Sequence, residues 1–370
     1  MKKMSKLMFV AAATLLVGGL ASCGGNGDTD IESTYKVAMI TDYGDITDES
    51  FNQATYEGCK EFCETNNVDF KYYKPSDNGD AQRIESTEQA IDAGYNVVVM
   101  PGYAFAPCIK AVAAKYPEVK FIALDVSAGD LGDDYTLPSN VYCAVYQEEL
   151  AGYMAGYAAV KEGYTNLAFL GGKSVPAVVR YGYGYVQGCD AAAEGKSISI
   201  KYAYGNQFSG DADIKAFTDV WYKNGVEVTF ACGGGIYTSA CDSAKEYKGK
   251  VIGVDVDQSY IINGSYGDGM CITSAMKGLA ATVKTKLKDT ILDNKWTSKI
   301  ETLGLVSGTD PESNYVQLPM ASWSMKNFTV NDYKDLVKKL YDGTIKVSND
   351  TSAAPTVSST TTVEYQGNIK

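Results

Sequence analysis

Residues 35–53 read YKVAMITDYGDITDESFNQ. A short apolar run breaks after residue 40 into a loop carrying Asp42, Asp45 and Asp48, and a helical pattern begins near Ser50. Ser50 followed three residues later by Gln53 fits a capping box, which places Phe51 and Asn52 in the first helical turn. An aromatic face, an amide and carboxylates then meet at a strand's carboxyl end, the usual ligand position in an open α/β sheet.

Outward from this stretch the chain alternates. Candidate strands fall at 36–40, 70–73, 96–100, 120–125, 141–145, 167–170, 198–202, 228–232, 251–256 and 271–274, with helical patterns in most gaps. Runs such as VVVM and FIAL, apolar on both faces, suit parallel strands covered by helices on either side. The fold class is therefore α/β. The alternation is too long for one sheet and restarts after residues 138–147, which predicts two lobes with a cleft between them. The strand at 271–274 and the helix after it are expected to return to the first lobe. From Ser348 the composition turns rich in Ser and Thr, and a disordered tail is expected over 348–370.

The first residues supply Lys2, Lys3 and Lys6, followed by the apolar run FVAAATLLVGGLAS. That run is shorter than the roughly 20 residues that span a bilayer, so it reads as a signal peptide over 1–22. Its end, Leu20, Ala21, Ser22 and Cys23, resembles a bacterial lipobox. Cleavage would expose Cys23 for lipidation, with 23–34 as a tether holding the protein on the extracytoplasmic face of the cell membrane.

Composition removes several chemistries, because the chain contains no histidine. Ser-His-Asp and Cys-His catalysis, imidazole metal sites and histidine pH switching are excluded. Without the three signal-peptide lysines, 30 basic residues face 45 acidic ones, a charge of −15 that argues against a nucleic-acid partner. A length of 370 residues favours two domains. Of nine cysteines, eight remain after Cys23; none is spaced as CxxC, and several lie in apolar runs, as Cys143, Cys232 and Cys271 do. They are expected to be buried small hydrophobes rather than disulfides.

The polar residues cluster at strand ends. Asp42 follows the first strand, Gly102 and Tyr103 follow VVVM, Asp125 ends KFIALD, and Phe208 lies in the loop after 198–202. Gly233, Gly234 and Gly235 follow VTFAC, Asp255 lies in VIGVDVDQ, and Lys277 opens a helix after CITSAM. Singly, each has an ordinary reading as a turn, cap or solvated residue. Jointly, across a cleft, they bring carboxylates, a lysine, aromatic rings and close-approach glycines to one ligand. Competing motifs fail. LGGKS (170–174) ends like a phosphate-binding loop but has Leu167 where GxxxxGK[ST] needs glycine, and the acidic loop lacks the spacing and closing glutamate of an EF-hand. The tyrosines of RYGYGYVQG read as helix packing.

Five segments in order, TDYGDITDESFNQ, VVVMPGY, FIALD, GVDVDQ and ITSAMKG, behind a lipobox, resemble the basic membrane protein family of substrate-binding lipoproteins, most of all its purine nucleoside receptor branch. The resemblance runs over about 35–347. It implies a type I periplasmic-binding-protein fold, two Rossmann-like lobes with parallel sheets joined by a hinge, delivering a nucleoside to an ABC importer. The implied lobes are 35–144 with about 272–312, and 145–271 with about 313–347. By similarity Phe51 and Phe208 sandwich the base, Asp42, Asn52 and Asp125 address polar edges of the nucleoside, Asp255 and Lys277 hold the ribose, and Gly234 lets the backbone approach the sugar. The partners implied are a purine nucleoside, an ABC permease and, through the lipid anchor, the membrane. A monomer that is not an enzyme, without cofactor or metal, is expected. The alternatives are a calcium-dependent nucleoside hydrolase, suggested by the three loop aspartates, and a sugar-binding or sensory receptor of the same fold.

Overall fold

The computed structural model describes residues 34–42, 44–132 and 134–369; the expected signal peptide, Cys23 and all but the last residue of the tether lie outside the described residues. From its start the chain lays down β1 (Lys36–Ile40), α1 (Phe51–Thr65), β2 (Asp69–Tyr73), α2 (Asp80–Asp92), β3 (Val97–Pro101), α3 (Ala106–Val112), β4 (Lys120–Leu124), α4 (Ala128–Leu131) and β5 (Val141–Tyr146). It continues through α5 (Glu148–Glu162), β6 (Asn166–Gly171), α6 (Pro176–Ala191), β7 (Ile198–Tyr204), α7 (Ala212–Lys223), β8 (Val228–Cys232), α8 (Tyr237–Tyr247), β9 (Lys250–Asp255), α9 (Ser259–Tyr266) and β10 (Cys271–Lys277). The last part comprises α10 (Leu279–Leu287), β11 (Lys299–Leu303), β12 (Val316–Gln317), α11 (Val330–Tyr341) and β13 (Thr361–Asn368).

These strands form two sheets, β11-β5-β4-β3-β1-β2 and β12-β10-β9-β8-β6-β7-β13. Every pairing is parallel except that of β12 with β10. Burial explains why the strands read as unbroken apolar runs. In β1 and β3, Val37, Met39, Val97 and Val99 enter the central core, while Ala38, Ile40, Val98 and Met100 enter a second core on the opposite face. In β6, Leu167 and Phe169 join the central core and Ala168 and Leu170 a third. Both faces of each sheet are thus covered, as parallel sheets require.

The two lobes are joined by three crossings, at Gln147, at Gly278 and over 304–315. The crossings hydrogen-bond one another: Gln147 N donates to Leu303 O (2.9 Å), Tyr315 N to Gly304 O (3.0 Å) and Gly278 N to Tyr315 O (2.8 Å). This places the first two crossings a few residues later than the expected boundaries at 144 and 271.

Three expectations need correction. The strand expected at 271–274 to rejoin the first lobe stays in the second sheet as β10, beside β9. Its residues are buried on both faces, so nothing local to them specifies which sheet they join. Lys277 closes that strand instead of opening a helix. The tail expected to be disordered from Ser348 contains β13, which pairs in parallel with β7. Thr361 is buried there, Tyr365 packs on Tyr202 at 5.0 Å, and Gln366 accepts from the Trp221 indole at 2.8 Å. Thr and Val have high strand propensity, which a Ser/Thr-rich composition conceals.

The eight described cysteines are buried free thiols. RYGYGYVQG lies in α6, where Gly184 and Gly188 interleave with Gly152 and Gly156 of α5. A β-carbon at Gly184 would stand 2.0 Å from Glu149 O, and one at Gly152 would stand 2.0 Å from Tyr181 O. The glycines let the two backbones approach as close as they do.

Candidate functional site

A cleft lies where the strand ends of the two sheets meet, with about 880 Å³ of space including its open mouth. Its wall contains all eight residues singled out from the sequence: Asp42, Phe51, Asn52, Asp125, Phe208, Gly234, Asp255 and Lys277.

On the first lobe, Asp42 follows β1 and accepts from Gly44 N (3.1 Å) and from Asn52 Nδ2 (2.9 Å). Gly102, at φ +116°, must lack a side chain, because a β-carbon would fall 2.5 Å from Asp42 Oδ2. The second amide hydrogen of Asn52 goes to Asp48 Oδ2 (3.0 Å), so both are used within the protein. The capping box expected of Ser50 and Gln53 is not formed. Asp48, one of the three loop aspartates, does that work: its carboxylate accepts from the backbone N–H groups of Ser50, Asn52 and Gln53 at 2.9–3.0 Å. A carboxylate satisfies the orphan donors of a helix start more strongly than a hydroxyl. Ser50 is then free to reach across the cleft, donating to Asp255 Oδ2 at 2.6 Å. Asp45 pairs instead with Lys74.

Asp125 follows β4 at φ +58°, and Asp255 ends β9 at φ +65°. The two strands hold corresponding places in their sheets, so each lobe presents one strained aspartate to the cleft. Asp125 Oδ2 accepts from Lys277 Nζ at 2.7 Å, whereas its Oδ1 is buried with no partner. Lys277 is enclosed. Its ammonium also lies 3.1 Å from Glu148 Oε1 and 5.1–5.5 Å from the ring centres of Phe51, Tyr146 and Tyr181. Glu148 Oε2 in turn accepts from Arg180 Nε at 2.7 Å. A chain of charges thus runs Arg180, Glu148, Lys277, Asp125, from the second lobe past the first crossing into the first lobe.

Phe208 sits in the loop after β7, and its ring lies against Gly172, where a β-carbon would come within 2.5 Å of it. Gly172 of LGGKS therefore makes room for the Phe208 ring, and Gly171 for that of Tyr204. Gly234, at φ +50°, belongs to the turn docked on this loop through Gly235 N donating to Phe208 O (2.9 Å). Phe230 is fully buried core.

Burial pushes Asp125 up to about 6 despite the Lys277 ammonium beside it. It also raises Asp255, against the opposing pull of Lys277 and Ser50. For Lys277 burial acts downward, but Asp125, Glu148 and Asp255 around it hold the ammonium above its ordinary value. At neutral pH the Asp125 carboxyl is thus mostly an acceptor, and Lys277 stays charged. Among the described residues no group of three or more Asp, Glu, Cys or His side chains is placed to hold a metal ion.

Sequence reading missed Glu148, Arg180 and Tyr181, which line or brace this wall. One signal was available, since Arg180 is one of two arginines in the chain. Glu148 opens a helix directly after an apolar strand, where acids are ordinary, and nothing local marks it.

The model of the family described as ABC transporter substrate-binding protein, PnrA-like, matches residues 35–351. The chain belongs to this family. It is an ABC transporter substrate-binding protein of the basic membrane protein group. Over 293 residues it is 27% identical to the ABC transporter nucleoside-binding protein BmpA of Lactococcus lactis subsp. cremoris, covering 75% of this chain and 80% of the relative. It is 28% identical over 285 residues to basic membrane protein A2 of Borrelia garinii subsp. bavariensis (76% and 79% covered), and 25% identical over 358 residues to an uncharacterized lipoprotein of Pyrococcus furiosus (90% and 85%). Among solved structures, an ABC transporter solute-binding protein of Aeropyrum pernix K1 superposes with a TM-score of 0.66 at 19% identity (86% and 88% covered). One from Conexibacter woesei DSM 14684 superposes at 0.65 and 20% (85% and 99%). Those two establish the periplasmic-binding-protein fold for this PnrA-like chain. No helix among the described residues is long and apolar enough to cross a membrane.

Proposed function

We propose that this substrate-binding protein takes up a purine ribonucleoside between its lobes and presents it to an ABC permease, held to the extracytoplasmic face of the membrane through a lipidated Cys23. The observation that carries this reading is the cleft's pairing of aromatic rings from opposite lobes, Phe51 and Phe208, with buried carboxylates, of which Asp125 Oδ1 lacks any partner. Two faces suit a flat base, each contributing about 0.5–1.5 kcal/mol beyond burial. A carboxylate only accepts, so Asp125 suits a ring N–H and Asp255 the hydroxyl donors of a ribose. The name of the Lactococcus relative supports the same ligand class. Ligand bridging the lobes would favour the closed state, and no bond need break.

Calorimetry with inosine and deoxyinosine tests the assignment. Inosine should bind one to one, and deoxyinosine about tenfold to a hundredfold more weakly, because the missing hydroxyl removes a hydrogen bond to a charged group. Equal affinities would remove Asp255 from the ribose site. Free hypoxanthine appearing from inosine with calcium would instead make the protein a hydrolase. For the anchor, Cys23→Ala should move the protein from the membrane fraction to the soluble one; retention on the membrane would refute lipidation there.

A further inference from the structure

The cleft's side-chain donors are nearly all engaged. Asn52 gives both amide hydrogens to Asp42 and Asp48, Ser127 donates to Asp130, Tyr181 donates to Ala275 O (3.3 Å), and Lys277 faces Asp125 and Glu148. Arg180 differs. It lines the cleft from the first turns of α6, and its Nε alone is used, on Glu148 Oε2; the four N–H bonds of its terminal amino groups make no hydrogen bond among the described residues. Glu148 is fully buried and α5 packs backbone to backbone on α6 through glycine, so the guanidinium is clamped at one edge and leaves a fork of donors toward the cleft.

A purine nucleoside carries acceptors as well as donors, and carboxylates cannot serve the acceptors. We propose that Arg180 is a specificity-determining residue whose terminal amino groups take the O6 and N7 acceptors of a 6-oxopurine, so that the site prefers inosine and guanosine over adenosine. This rests on the nucleoside reading above. Arginine's planar fork matches that pair of acceptors, and a 6-amino group in place of the carbonyl turns a donor toward the guanidinium. A phosphate is the poorer occupant for the same group. The charge of each cation of the cleft is already met by Glu148 or Asp125, and Asp42, Asp48 and Asp255 line the same cleft.

Calorimetry of the full-length protein with inosine, adenosine and inosine 5′-monophosphate, for the native chain, Arg180→Lys and Arg180→Met, decides the matter. Lysine keeps a cation beside Glu148 without the fork, so one variant retains the buried charge balance even if the other folds poorly; melting curves check both. The native protein should prefer inosine to adenosine by about tenfold or more, and the ratio should fall in Arg180→Lys and collapse toward one in Arg180→Met. Equal loss of both nucleosides would show a purely structural arginine and overturn the inference. So would a native protein without the preference, or one that binds the monophosphate more tightly than inosine. Failure of the nucleoside reading looks different: the native protein would then bind neither nucleoside.

Discussion

Glu149 lies beside Glu148 at the start of α5 with 3% of its surface exposed, and its Oε2 has no partner. Burial, with Glu148 adding to it, pushes its carboxyl from 4.5 up to about 7. A carboxyl raised in the folded state contributes stability that is fully present below about 4.5 and is lost as pH rises through about 7. Glu149→Gln should therefore stabilise the protein at pH 8 by on the order of 2–3 kcal/mol and change little at pH 5. Thermal melts at the two pH values check this; equal shifts at both would mean that ionisation is not the cause. At this scale the sequence was legible where a residue's role follows from its position after a strand, as for Asp42, Asp125 and Asp255. It was illegible where two groups compete for one task. Ser50 has a capping residue's spacing, but Asp48 takes the helix N–H groups and Asp255 takes the Ser50 hydroxyl, and only the fold reveals both rivals.

The pair α5 and α6 is the element-scale counterpart. Gly152, Gly156, Gly184 and Gly188 bring the two helices into backbone contact, and that contact positions Arg180 beside Glu148. Gly184→Ala would press a methyl group onto Glu149 O, and overpacking of this kind costs about 1–3 kcal/mol. A lowered melting temperature with weakened ligand binding is expected; an unchanged midpoint would mean the helices can separate freely. The alternation of β and α was readable from apolar runs and their spacing. Sheet membership of β10 was not, because a strand buried on both faces fits either sheet until its neighbours are known. The strand β13 was hidden for a different reason: threonine raises strand propensity and polarity together, and composition registers only the second.

Across the whole molecule, the lobes meet through more than the crossings. Besides Lys277 with Asp125 and Ser50 with Asp255, Gln258 Nε2 donates to Glu49 O at 2.9 Å and the Tyr260 hydroxyl reaches the Glu49 carboxylate. These contacts tie segments of the two lobes together beside the cleft. Ser50→Ala should leave the free protein more open and weaken ligand binding by about tenfold, since a hydrogen bond to a carboxylate is lost and the closed state becomes rarer. Small-angle scattering would show a larger radius of gyration for the free variant than for the free native chain, with the ligand-bound forms alike. No difference between the free forms would deny Ser50 a part in closure. Two lobes were legible as a restart of the alternation, but a latch between distant segments has no local signature. The threefold crossing also governs the order in which the molecule is completed. As the chain leaves a ribosome, the first sheet must wait for β11, made after all of β6 to β10, while the second sheet must wait for β12 and β13. The lobe begun first is left unfinished while most of the other is made, and neither reaches its full complement of strands until the chain is four-fifths synthesised or more. Such a chain stays short of its native state through most of its own synthesis, a condition that suits passage across a membrane as an unfolded thread.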